Sequence, residues 1–156
     1  MRVFISQPMK GRTIEQIQER RDQICEMLVE VFNRDIEFID SINKDEELQK
    51  KGSIAMLGHS VGLMADADLV VVDDVEYGHT GVYIEDKVAR GYGVPSIDMY
   101  ELIPIYAGIK GMRGEKYKDF ELKVKEYYRH SEGPAELQDD LAVVDAMSHV
   151  MSKYED

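Results

Sequence analysis

The run Leu69-Val70-Val71-Val72 constrains the fold more than any other part of the chain. Four consecutive apolar residues, three of them β-branched, leave no polar side to turn toward water, so a strand built from them is buried on both faces. Such a strand belongs in a parallel sheet with helices on both sides. The flanking sequence supplies the rest. Arg2-Val3-Phe4-Ile5-Ser6 reads as a short buried strand, Ile36 to Ile39 as a second, and Val94 to Met99 as a fourth. Helical patterns lie between them. Ile14, Ile17, Ile24, Leu28 and Val31 recur at helical spacing up to about Phe32, with Thr13 as N-cap and Gln16 completing a capping box. The stretch from Lys44 to Gly52 is charged and reads as a loop or a short helix. Ile54, Leu57, Val61 and Met64 mark a helix from Ser53, and another runs from about Gly81 to Tyr92, where Gly93 ends it. The order β-α-β-α-β-α-β implies a doubly wound α/β fold: a Rossmann-like or flavodoxin-like parallel sheet of about four to five strands with right-handed crossovers.

After Pro104 the pattern changes. Gly108, Gly111 and Gly114 mark an irregular, basic connection, and Phe120 to Tyr128 and Ala135 to Tyr154 read as helices. The second carries Leu137, Leu141, Val144, Met147 and Met151 on one side. An α/β domain is therefore expected over residues 1–104, and a helical C-terminal extension over 105–156, packed on that domain or on another subunit. The length of 156 residues suits this small body. A hydrophobic content of 44% argues against disorder. No apolar run reaches the ~18 residues that cross a bilayer, and the start of the chain lacks the pattern of a secretory leader. Cys25 is the only cysteine, which excludes an internal disulfide and a multi-thiolate metal site and suits a cytoplasmic protein. With 31 acids against 19 bases, the net charge of -12 argues against a nucleic-acid polymer as partner. It leaves room for a mononucleotide, whose phosphate needs one loop and a few donors.

Ligands of doubly wound sheets bind outside the carboxyl ends of the strands. That rule selects Ser6 to Arg12, Asp40 to Asn43, Asp73 to Glu85 and Asp98 to Glu101. In the first of these, Ser6, Gln7, Pro8, Met9, Lys10, Gly11 and Arg12 lead into a helix N-terminus with free N–H groups for an anion. Lys10 and Arg12 add charge, and Gly11 permits close approach, although the spacing is not that of a P-loop. The same residues also fit a plain capped helix entrance with two solvated bases. Asp73 and Asp74 either end a strand in water or face a ligand. Glu85 lies near the start of its helix, where the macrodipole favours the ionised form that a nucleophile needs. An ordinary helix-start acid would look the same. His59, His130 and His149 are scattered without metal-ligand spacing.

Three segments in order carry a resemblance: Phe4-Ile5-Ser6-Gln7-Pro8-Met9-Lys10-Gly11; Leu57-Gly58-His59-Ser60 with Leu63-Met64-Ala65-Asp66-Ala67-Asp68; and Gly81-Val82-Tyr83-Ile84-Glu85 with Ala89 and Tyr92-Gly93-Val94. Over roughly residues 1 to 100 the chain resembles the nucleoside 2-deoxyribosyltransferase-like proteins, nearest to a small branch found in phage and bacterial genomes. The resemblance implies that Glu85 is a nucleophile that attacks the anomeric carbon of a nucleoside or nucleoside 5'-monophosphate, with Asp73 or Asp74 contacting sugar or base. It implies that Ser6 to Arg12 and His79, Thr80 and Gly81 hold a 5'-phosphate, without cofactor or metal, and that the chain forms a homo-oligomer. The chain departs from the family at His79, where Asp or Ser is usual, at Phe4, where a Tyr is expected, and at Asp86, where the nearest branch has His. These departures motivate the alternative, a protein that binds nucleotides as a sensor or sequestering agent without cleaving them.

Overall fold

The computed structural model describes residues 1–74 and 79–127. The helix expected from Ala135 to Tyr154, with its Leu/Met stripe, lies outside the described residues, as do His130 and His149. Four strands, β1 (Arg2–Ser6), β2 (Glu37–Phe38), β3 (Leu69–Val72) and β4 (Ser96–Asp98), form one parallel sheet in the order β2-β1-β3-β4. The helices among the described residues are α1 (Ile14–Phe32), α2 (Glu46–Lys50), α3 (Ser53–Leu63), α4 (Thr80–Gly91), α5 (Met99–Ile109) and α6 (Glu115–Lys125), with a 3-10 turn over Met64–Asp66. This is a doubly wound, flavodoxin-like α/β fold. Its strand order reverses between β1 and β3, and the crevice at that reversal is where such sheets bind ligands.

Local sequence explains most of the elements. The Thr13 hydroxyl accepts the Gln16 N–H at 3.1 Å, and the Gln16 side chain accepts the Thr13 N–H at 2.9 Å, so the capping box forms as expected. Asn33, at φ 51°, closes α1 in the left-handed region. β3 pairs β1 from Val3↔Leu69 to Ser6↔Val72, and all four of its residues are buried. Side chains alternate across the pleat. Val3, Ile5, Leu69 and Val71 pack with Ile24, Met27, Leu28, Leu102, Ile103 and Val124 on the α1, α5 and α6 side. Phe4, Val70 and Val72 pack with Met64, Val82 and Ala89 on the α3 and α4 side. Each such side chain stabilises the fold by roughly 1.5–3 kcal/mol.

The structure corrects the expected boundaries. β2 is shorter than Ile36 to Ile39, although pairing continues past it through the Ile39 N–H, which donates to the Val3 carbonyl at 2.9 Å. The fourth strand stops before Met99, because the Asp98 side chain accepts the Glu101 N–H at 3.0 Å and caps α5 instead. The irregular stretch expected after Pro104 is helical as far as Ile109. Pro104 cannot donate to the Tyr100 carbonyl, but both residues are exposed, so the lost bond lies at the surface. The boundary drawn at residue 104 thus falls inside a helix, and Ala107 and Val124 are buried beyond it. Ile14 and Ile54, expected in core stripes, are 56% and 87% exposed. Each sits in the first turn of its helix. Among the described residues no helix is long and apolar enough to cross a membrane.

Candidate active site at the carboxyl edge of the sheet

Pleat alternation divides the residues that follow β1 and β3. Gln7 and Asp73 continue the side that faces α1. Ser6 and Asp74 continue the side that faces α4. The consecutive acids Asp73 and Asp74 therefore serve different surroundings.

On the α1 side two arginines are almost fully buried, Arg20 at 3% exposure and Arg21 at 4%. Arg20 donates to both carboxylate oxygens of Asp73, from Nε at 2.9 Å and from Nη2 at 2.8 Å. Its Nη1 donates to the Gln23 side chain at 2.7 Å and the Val124 carbonyl at 2.9 Å. Arg21 donates to Gln7 Oε1 at 2.8 Å and Ser41 Oγ at 2.7 Å. Burial lowers the pKa of Arg21 from its ordinary value, against the opposing pull of Asp40. Tyr127, just past α6, completes this layer. Its ring lies 3.8 Å from the Arg12 guanidinium and 4.7 Å from that of Arg20. Its hydroxyl accepts from Gln7 Nε2 at 3.3 Å and donates to the Pro8 carbonyl at 3.2 Å, and its own carbonyl accepts from Arg12. Arg12 is thus engaged with Tyr127, while Lys10 and Gly11 are exposed and Gly11 takes φ 75°, a conformation cheap for glycine alone.

On the α4 side Asp74 is 2% exposed, and its Oδ2 accepts from both the backbone N–H and Nδ1 of His79, each at 3.1 Å. His79 is the N-cap residue of α4. Glu85 lies in the second turn of that helix, beyond the four free N–H groups, where the macrodipole has largely faded. Burial dominates there and raises the Glu85 carboxyl to about 7. The nearby Ser6 hydroxyl favours the ionised form, but more weakly. The sequence-based expectation that the helix dipole sets this group is therefore corrected: desolvation sets it. Nor does the neighbouring acid act on it, since Asp86 turns away to accept from Arg90 Nε at 2.8 Å. Gly81 stands one helical turn before Glu85 on the same face, and a side chain added at Gly81 would meet nothing within 4 Å.

Four buried side-chain atoms among the described residues lack a hydrogen-bond partner: Ser6 Oγ, Arg12 Nε, Asn43 Nδ2 and Thr80 Oγ1. All four lie at the carboxyl edge of the sheet. Ser6 is completely inaccessible to solvent, and its hydroxyl, though outside hydrogen-bond geometry, lies near enough to the Glu85 carboxyl to favour the ionised form. Of the residues singled out in sequence, Ser6, Asp74, His79, Thr80, Gly81 and Glu85 lie on the α4 side, and Gln7, Arg12 and Asp73 on the α1 side. Pro8 is buried, and Met9 is half-buried. Residues 75–78, between Asp74 and His79, lie outside the described residues. Arg20, Arg21 and Tyr127 escaped the sequence reading, whereas Ser41 lies in the Asp40 to Asn43 stretch that it selected. The two arginines had a signal, since they occupy the apolar stripe of α1 between Ile17 and Ile24 at helical spacing.

No cluster of three or more His, Cys, Asp or Glu among the described residues is placed to hold a metal ion. Two open recesses lie elsewhere, one of about 710 Å³ along α6 by Met112, Phe120 and Leu122, the other of about 450 Å³ by Met1, Val29 and Asn33. Glu85 lines neither. No family model, curated protein or solved structure matches the chain.

Proposed function

We propose that the protein cleaves or transfers at the N-glycosidic bond of a nucleoside or nucleoside 5'-monophosphate, with the Glu85 carboxylate as nucleophile. The observation that carries this reading is a half-buried carboxyl group, raised to about 7 by desolvation, beside the Ser6 hydroxyl at the switch point of the sheet. Breaking a glycosidic bond builds positive charge on the sugar, and a desolvated carboxylate captures that charge best. The resemblance to nucleoside 2-deoxyribosyltransferase-like proteins points the same way. The β1–α1 loop, with the orphaned Arg12 Nε, suits the 5'-phosphate. In the α1 layer Asp73 is held by Arg20, so its part here is to fix the end of β3, whereas Asp74 faces the reacting side.

The test is base release from a panel of nucleosides and nucleoside 5'-monophosphates. Release by the wild type that falls roughly 10³-fold or more in Glu85→Gln is expected. Absence of release from every compound, or undiminished release in the variant, rejects the proposal. One observation favours binding without cleavage: a carboxyl raised to about 7 is half protonated near neutrality and then cannot attack. Calorimetry showing nucleotide binding with no base released would support that alternative.

A further inference from the structure

We propose that His79 is the proton carrier of this site and Asp74 the residue that orients it. The inference rests on the function proposed above. Asp74 Oδ2 already accepts the His79 backbone N–H, so Nδ1, at the same 3.1 Å, meets that oxygen as a donor. This fixes the tautomer of the neutral ring: the proton sits on Nδ1 and Nε2 carries the exchangeable site. Nε2 makes no hydrogen bond among the described residues. The exposures divide the roles, since the Asp74 side chain is 2% exposed and that of His79 26%. The carboxylate is sealed inside, whereas the imidazole is partly exposed.

Register puts Asp74 on the face of the sheet that also carries Ser6. Val72 pairs with Ser6, whose hydroxyl acts on Glu85, and Asp74 follows two residues after Val72 on the same face. In the first half-reaction the Glu85 carboxylate bonds to the anomeric carbon and the C–N bond breaks. Its electron pair goes to the base nitrogen, and the His79 imidazolium gives its Nε2 proton to the departing base, becoming the neutral Nδ1–H ring. In the second half a water or an incoming base gives its proton to Nε2 as it bonds to the same carbon, and Glu85 leaves as a carboxylate. Each half restores what the other used. A His at this position then does chemistry rather than bind phosphate.

The full-length protein tests this with two substrates: the nucleotide that the panel shows to be cleaved, and nicotinamide mononucleotide. The pyridinium base of the latter departs neutral without a proton. His79→Ala is expected to slow base release from the first about 100-fold and to regain part of it on addition of imidazole. The first-turnover release of nicotinamide should stay within a few-fold of wild type. Asp74→Asn should slow release from the first substrate without imidazole rescue. It retains an acceptor for the His79 N–H, so it guards against misfolding of the alanine variant. Unchanged release in His79→Ala overturns the proposal, as does an unrescued loss equal for both substrates, which marks a structural role. No release from any substrate by the wild type overturns it together with the proposed function, whereas the first two outcomes overturn it alone.

Discussion

At Glu85 burial and a neighbouring hydroxyl pull in opposite directions, and burial wins. The consequence for stability has a definite sign. The folded carboxyl sits at about 7, above its ordinary 4.5, so the folded state binds this proton more tightly than the unfolded chain does. Its contribution is fully present below about pH 4.5 and is lost as pH rises through about 7. Glu85→Gln should therefore unfold at higher urea than wild type at pH 8, by up to roughly 3 kcal/mol, and lose the advantage by pH 4. For the proposed reaction the same group predicts that kcat/KM falls tenfold per pH unit below about 7, as Glu85 is protonated. Asp73 behaves differently. Asp73→Asn leaves a buried Arg20 with half its partner and should cost about 3–5 kcal/mol in urea unfolding. The sequence shows two equivalent acids at 73 and 74. What separates them is which face of the pleat each one meets: Asp73 meets Arg20 from α1, 53 residues away, and Asp74 meets His79 five residues on.

Among the elements, α4 matters most. Gly81 lies in its first turn with space beside it, so Gly81→Ala removes a helix-destabilising glycine without a clash inside the chain. It should raise stability by up to about 1 kcal/mol in thermal unfolding. In the proposed site the same methyl group lies one helical turn before Glu85 and should weaken nucleotide binding in calorimetry. A substitution that stabilises the protein and harms the site would tie the open position to a ligand. In α1, Thr13→Ala removes the cap and should cost about 1 kcal/mol. β1, β3 and α1 were readable in the sequence, because a four-residue apolar run and a capping box leave few alternatives. The start of α5 was not. Asp98-x-x-Glu101 follows directly on a β-branched strand pattern, and Pro104 suggested a break that its exposure makes harmless.

Across the whole molecule, the sheet order brings the ends of β1 and β3 together, and that much of the site followed from the alternation of strands and helices. The α1-side layer did not, because Tyr127 reaches Gln7, Pro8 and Arg12 from more than a hundred residues away. Local pattern holds no trace of such a contact. Tyr127→Ala should speed amide hydrogen exchange over residues 7–13 and lower nucleotide affinity, read by mass spectrometry and calorimetry on the same samples. The Tyr127 clamp also sets an order of events at the ribosome. Strands, crossovers and Glu85 are all translated before it, and the β1–α1 loop waits for it with Gln7 and Arg12 still in water. A translation product that stops short of Tyr127 would carry Glu85 and the sheet but leave Gln7 and Arg12 without the partner that holds the β1–α1 loop.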